Sequence, residues 1–484
     1  PPIPGDEKRF KRFRTEFEKR CVVGHEKEYV ADRIRNQSER HAKFGRTVSM
    51  QEPNIKNGCG SLRDYQNLLW VSYFLKRVST TSQLVEMKLL PESDRRRLDR
   101  AYDFLLRVRT ELHYLNKRAT DTLSHVYQLQ VATKLGYPQK NALRRIEAFM
   151  RDYFQHARVI YQLTETLFGK LTTTEEESAH FGLMRFLMRK KKNEHFDGFY
   201  IAHGQLFPES RDAFKEDPYR MMRAFQHAQQ RRVGFSAELM ALIRRRSVEV
   251  DRTYCYARSA RETFAAILSR KGEVGRILRL MHEADFLGRY LPEFGELTCL
   301  VQHEFFHRYT VDEHTLVCIE KLDSIIDTEN PRFSGYRALF RKLEDPFVLY
   351  LALLLHDTGK ATNARYHAEA SALLASRVAR RLQLRSEQRK ALTFLVDNHI
   401  LLSDTAQRRN LEDPATIEEF ASVVRTQANL DALMLLTLAD GMGIGDDQTW
   451  SDWKESLVWE LYRSTGRYLS EGESYFHERA MERE

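Results

Sequence analysis

Apolar residues recur at i, i+3 and i+4 spacing through residues 62–76, 95–117, 140–171 and 217–230, with charged residues on the intervening faces. That period predicts four amphipathic helices. Strict alternation is rare along the chain. The exception is residues 196–207, Phe196-Asp-Gly-Phe-Tyr-Ile-Ala-His-Gly-Gln-Leu-Phe207, whose aromatics and glycines predict a short hairpin. No internal repeat or low-complexity segment interrupts this pattern. Polar, acidic or Pro/Gly-bearing joints fall at 172–178, 208–218 and 290–296, and a loop with Pro331 and Gly335 at 327–336 separates two later helices. The expected fold class is mainly all-α, with at most a short hairpin. Its expected divisions are a helical scaffold at 1–172, a mainly helical connecting region at 173–296, a further helical domain at 297–471 and a polar tail at 472–484.

Composition narrows the class. A chain of 484 residues is too long for one core, and 42% apolar with 30% charged residues is ordinary for a soluble globular protein. No run approaches the ~18 uninterrupted apolar residues of a membrane span, and no secretory h-region stands near the start. The chain opens on Pro1 rather than Met, which is expected of an excised or trimmed segment. Five cysteines without C-x-x-C spacing point away from a zinc ribbon and from a disulfide framework, and toward a reducing cytoplasm. The net charge of +9 gathers in runs at 8–14, 189–192 and 244–246. These read as solvated helix faces. No aromatic stacking platform accompanies them, so neither nucleic acid nor a membrane is the expected partner.

The chemistry concentrates late in the chain. The apolar run Leu353-Leu-Leu ends abruptly in His356-Asp357, with Lys360 three residues on. A buried imidazole beside a buried carboxylate is costly unless something binds both, and a divalent metal suits that pair. Other ligand types follow the same helical logic. Thr310-Val-Asp-Glu313 has the form of a capping box, which places His314 in the first turn of a helix. Asp345-Pro346 marks the start of the helix that ends in His356, and Gly359 fits a left-handed turn past its end. His367 opens another helix. Leu392, Leu395, Val396 and His399 share one helical stripe, as do Leu433, Leu436, Thr437 and Asp440. One such residue alone is most often a hydrogen-bonded core side chain. The ordered set His314, His356-Asp357, His367, His399 and Asp440 is a different signal, because buried ionisable groups are rare unless paired or metal-bound.

That set resembles the HD-domain metal-dependent phosphohydrolases, an all-α family. The resemblance implies that His314, His356, Asp357 and Asp440 hold a first divalent ion, whether Mn, Mg, Fe or Zn. It implies that His367 and His399 complete a second site or contact phosphate, and that Lys360 sits near the phosphoryl oxygens. The implied catalytic residues are Asp357, Lys360, His367 and His399.

The flanks resemble one branch more closely, the bifunctional PII uridylyltransferase/uridylyl-removing enzymes of bacterial nitrogen regulation. The matching segments are 303–316, 404–411, 438–440, 450–457 and 460–462. Upstream they are Glu52-Pro-Asn-Ile-Lys56-Asn-Gly58-Cys-Gly60-Ser-Leu-Arg63-Asp64, 112–115, 149–154 and 290–294. By that resemblance the site removes UMP from a tyrosine of the PII signalling protein. Two departures qualify it. No Asp-x-Asp follows Gly60-Ser61, and the stretch after Trp459 is too short for that family's two regulatory domains, so the chain is expected to be the hydrolase middle of the enzyme. The segment 440–447 also puts flexible glycines and extra acids beside Asp440. A phosphohydrolase for free nucleotides and a non-catalytic scaffold binding PII or nucleotide are the alternative readings.

Overall fold

The computed structural model describes residues 6–172, 195–301, 308–362, 367–444 and 450–472. The basic run 189–192, most of the joint 172–178 and the histidines at 303 and 307 lie outside these residues. The described residues are 71% helical and only 4% strand, which settles the mainly all-α class. It forms two compact units, Pro1–Lys192 and Asn193–Glu484.

The first unit is built on one long helix, Ala142–Thr172, against which Leu62–Lys76, Glu92–Asn116 and His125–Lys134 pack. The periodic pattern locates Leu62–Lys76, Glu92–Asn116 and Ala142–Thr172 to within three residues at each end, but does not pick out His125–Lys134. The segment ending in Asp64 is a buried junction. The Asp64 carboxylate is fully buried, accepts a 2.8 Å hydrogen bond from Arg40 and one of 2.8 Å from the Gly60 backbone, and lies 3.0 Å from His41. Gly60 has φ +67°, and a Cβ there would collide with the Ala157 carbonyl, so the Gly-Ser turn serves close packing. The basic run at 8–14 rides on Glu7–Phe17, a helix with no buried residue, as a solvated face.

In the second unit the expected hairpin is present and is extended by further strands. Strands β1 (His195–Phe196), β2 (Phe199–Ala202), β3 (Gln205–Pro208) and β4 (Gly234–Phe235) form one sheet in that order, antiparallel except for the β3–β4 pair. Asp197 and Gly198 take positive φ at the first turn, the geometry that suits a two-residue hairpin. Arg223 grips the Asp197 carboxylate with two nitrogens at 2.7 and 2.8 Å, tying the turn to the helix Arg220–Arg231.

At the centre of this unit runs Pro346–Leu355, every residue of which is buried. Around it pack Val311–Ser324, His367–Arg381, Ser386–Asp397 and Gln427–Gly443. A helix apolar on all sides must be enclosed, and each buried leucine contributes about 2 kcal/mol of transfer free energy. Tyr290, Leu291 and Phe294 belong to the same continuous core, from Phe199 to Leu461. No helix among the described residues is long and apolar enough to cross a membrane.

Candidate metal centre

The starts of two helices and the ends of three others bring the ligand-type residues together. His314 lies in the first turn of Val311–Ser324, at the start position expected of it. The expected capping box is not formed, however. Thr310 is the N-cap without a side-chain bond, because Glu313 turns instead to Arg279, whose guanidinium lies 3.1 Å away. Burial raises the Glu313 pKa above its ordinary value, and Arg279 only partly opposes it. Asp345 likewise precedes a helix with Pro at its first position but does not cap it; its carboxylate accepts from Gln388 at 2.7 Å.

His356 is the C-cap of Pro346–Leu355, followed directly by Asp357. Gly359 does not take the left-handed turn expected of it. It lies in a short 3-10 turn, Thr358–Ala361, and is not among the positive-φ glycines. Its lack of a side chain serves contact instead, since a Cβ there would collide with the His367 carbonyl and lie 2.7 Å from the Ser371 nitrogen. The Gly359 N–H donates to Ser371 Oγ at 2.8 Å. This close approach seats the first turn of His367–Arg381 beside the His-Asp pair. His399 is buried, as its stripe implied, but it lies past the helix Ser386–Asp397 in the following turn. Asp440 lies in the last turn of Gln427–Gly443.

The six side chains form two groups. The ligand atoms of His314, His356 and Asp440 lie within 4.8 Å of one another, and so do those of Asp357, His367 and His399. His314 Nε2 lies 3.0 Å from Asp440 Oδ1. His356 Nε2 lies 3.4 Å from Asp357 Oδ2 and 3.7 Å from Asp440 Oδ1. The two groups adjoin through His356 and His399, whose ring centroids are 5.3 Å apart; within the second group, those of His367 and His399 are 5.6 Å apart. Lys360 Nζ reaches Asp357 Oδ2 at 2.9 Å.

The hydrogen bonding of the imidazoles fits metal ligation. His356 Nδ1 donates to the Leu353 carbonyl at 2.7 Å, and His399 Nδ1 to the Val396 carbonyl at 2.8 Å. In each case the backbone oxygen fixes the tautomer and leaves Nε2 with its lone pair. His356 Nε2 is buried and has no hydrogen-bond partner. Such an atom, facing two carboxylates, is what a cation would satisfy.

The charges say the same. Burial works against a charged His356, but the Asp357 and Asp440 carboxylates outweigh it and push its pKa up to about 10. Burial would raise Asp357, yet Lys360 and His356 hold it well below the usual carboxylate range. Asp440 is held down similarly by His314 and His356. A buried carboxylate and a partly buried one that both stay ionised demand a compensating positive charge, which a proton on His356 or a metal ion supplies. His399 is pushed down to about 4 by burial and by His356 beside it, so its imidazole is neutral at pH 7.

Sequence reasoning missed the residues that set these positions. Cys318 lies one helical turn beyond His314, with Sγ 3.5 Å from His314 Nε2. Gly441 and Gly443, expected to be flexible, are helical and close-packed: Gly441 abuts the Trp450 ring, and Gly443 abuts Cys318 and His314. The i+4 spacing of His314 and Cys318 was a visible signal; the glycine contacts join distant segments and had none. The acids at 446 and 447 lie outside the described residues.

Three family models match in order. They are GlnD PII-uridylyltransferase at residues 28–168, uridylyltransferase GlnD third domain at 199–290 and HD domain at 311–441. A bifunctional uridylyltransferase/uridylyl-removing enzyme of Cereibacter sphaeroides is 36% identical over 456 residues, covering 92% of this chain and 47% of that protein. Proteins of the same name from Phenylobacterium zucineum and Azospirillum brasilense are 33% and 32% identical, covering 96% and 97% of this chain and 50% of each of theirs. The chain belongs to this GlnD family. It spans about half the length of the curated relatives it matches. Every member of the six-residue set falls inside the HD match, which opens three residues before His314 and closes one residue after Asp440. The HD match makes the second unit's bundle an HD-type domain, and it carries His/Asp groups able to bind a metal.

Proposed function

We propose that this chain hydrolyses the phosphodiester that links UMP to a tyrosine of uridylylated PII, in the cytoplasm, with a divalent metal held by His314, His356, Asp357 and Asp440. His367 and His399 contribute to a second ion or to the phosphate. The observation that carries this reading is the buried His356 Nε2, without a hydrogen bond and facing two ionised carboxylates at 3.4 and 3.7 Å. The printed names of the relatives support uridylyl removal, and the GlnD PII-uridylyltransferase match supports PII as the protein that carries the group.

A bound divalent ion supplies Lewis acidity, lowering the pKa of water and neutralising phosphoryl charge. The chain's own residues do the rest. Lys360 keeps Asp357 ionised and adds a positive charge beside it, where phosphoryl oxygens gain charge as the ester bond breaks. Asp357 accepts the proton of the attacking water. His399, neutral at pH 7 and oriented by Val396, presents a lone pair or, once protonated, a donor. Water attacks phosphorus, the bond from phosphorus to the tyrosine oxygen breaks, and that oxygen leaves as phenolate and takes up a proton. The products are UMP and unmodified PII.

The test uses uridylylated PII and the chain loaded with manganese. UMP release is expected from the wild type. It is expected to be lost in His356→Ala/Asp357→Ala, with the helical circular dichroism retained. Unchanged release by that folded variant would overturn the assignment.

A further inference from the structure

The His314 imidazole is held from two sides by residues that are not ligand candidates. On its own helix, Cys318 places Sγ 3.7 Å from Nδ1 and 3.5 Å from Nε2, so the sulfur lies against the ring. Cys318 is fully buried. Across the interface, Gly443 stands one turn beyond Asp440 on the helix Gln427–Gly443. A Cβ at Gly443 would overlap Cys318 Sγ and would lie 3.2 Å from both Cε1 and Nδ1 of His314. A thiol fits the space only because residue 443 has no side chain. Gly443 has no positive φ, so its backbone conformation does not account for the glycine.

We propose that Cys318 and Gly443 form a size-matched slot that orients the His314 imidazole toward Asp440 and thereby sets the affinity of this ligand group for its metal. Both are positioning residues; neither Sγ nor the glycine backbone belongs to either ligand group. The physical basis is rotational. An imidazole free to turn about its side-chain bonds loses that freedom on ligation, whereas one already clamped does not, and groups that orient ligands commonly change metal affinity by about 10- to 100-fold. A methyl group at residue 443 would force either the thiol or the ring to move. Interiors are too densely packed to absorb a carbon atom without such a shift. The distance of 3.0 Å between His314 Nε2 and Asp440 Oδ1 would then be lost.

The inference rests on the reading of His314 as a metal ligand, and the experiment separates the two. Manganese is titrated into the full chain, and the free-ion electron paramagnetic resonance signal gives the affinity. Melting of the metal-free protein is followed alongside. Gly443→Ala is expected to weaken manganese binding at least about tenfold. Cys318→Ala, which removes one wall, is expected to weaken it less. Gly443→Ala/Cys318→Ala is expected to recover most of the loss, because the new methyl occupies the space the sulfur leaves. A purely structural role would give no such recovery in affinity at matched metal-free melting temperatures. Wild-type affinity in Gly443→Ala, or additive losses in the double variant, would overturn the slot. Should Gly443→Ala fail to fold, Cys318→Ala decides: weakened binding supports the slot and unchanged binding overturns it. If the wild type and His356→Ala bind manganese equally poorly, the metal reading itself falls. If only His356→Ala loses binding while the slot variants do not, the metal reading stands and the slot alone falls.

Discussion

Tyr350 donates its hydroxyl to the Asp323 carboxylate, joining the helix that ends in His356 to the helix that begins near His314. The same carboxylate accepts from the backbone of Gly272 at 3.1 Å and of Gly275 at 2.6 Å, where the helix Val274–Glu283 starts. One buried side chain thus ties the distal end of one helix to the middle of another, and each of these helices carries a ligand candidate at its other end. It also satisfies the free N–H groups of a third.

Burial pushes the Asp323 pKa up to about 6, and the bonds from Tyr350 and the two glycines only partly offset it. A pKa raised from the ordinary value of 3.8 means that between these two values the folded chain binds more protons than the unfolded one. This contribution to stability is therefore fully present below the unfolded value and is lost as pH rises through about 6. Asp323→Asn removes the dependence. Relative to that variant, the wild type is expected to lose on the order of 3 kcal/mol between pH 4 and pH 7. Melting curves of both proteins across that range check it; parallel curves would refute it.

Gly359→Ala should damage the site more than its size suggests. The added methyl collides with the His367 carbonyl and crowds Ser371, so the helix His367–Arg381 must shift. The expected cost is about 1–3 kcal/mol, with a clear loss of UMP release. Ser371→Ala removes only the bond to the Gly359 N–H and is expected to cost about 1 kcal/mol. Equal losses of activity in the two variants would show that the contact is not steric.

Arg381 and Glu293 form a bidentate pair at 2.8 and 2.8 Å, with side chains only 11% and 12% exposed. It anchors the far end of the helix that begins with His367. Arg381→Ala strands a nearly buried carboxylate and is expected to cost about 3–5 kcal/mol. Arg381→Met/Glu293→Leu should recover most of that, because it removes both charges and keeps the volume. Urea unfolding of the three proteins gives the comparison, and a double variant as unstable as the single one would contradict it.

Metal binding should appear as stability. A ligand that binds only the folded chain adds about 2.7 kcal/mol at a free concentration 100 times its Kd. Manganese is therefore expected to raise the melting temperature of the wild type, and a chelator to reverse the rise. His356→Ala/Asp357→Ala should show neither effect. A rise of the same size in that variant would place the binding elsewhere.

The helical periods were legible because an amphipathic helix writes its buried face into local spacing. The segments 62–76 and 140–171 were located closely, and the apolar run into His356-Asp357 did end a buried helix. His399 was read as part of a helix and lies past its end, since a stripe in the sequence does not say where the backbone turns. The capping box at Thr310 failed for a related reason: Arg279, distant in sequence, offered Glu313 a stronger partner than the local backbone did.

By itself, then, the sequence determined the all-α class and the order and type of the candidate ligand residues, because both rest on neighbours within a turn or two. Tertiary structure alone decided how those residues group, three and three. It also decided which imidazole nitrogens face the carboxylates and why glycines stand at 359, 441 and 443. Gly441 and Gly443 looked like flexibility, and Gly359 like a left-handed turn, because only what lies across the interface shows that there is no room for a Cβ.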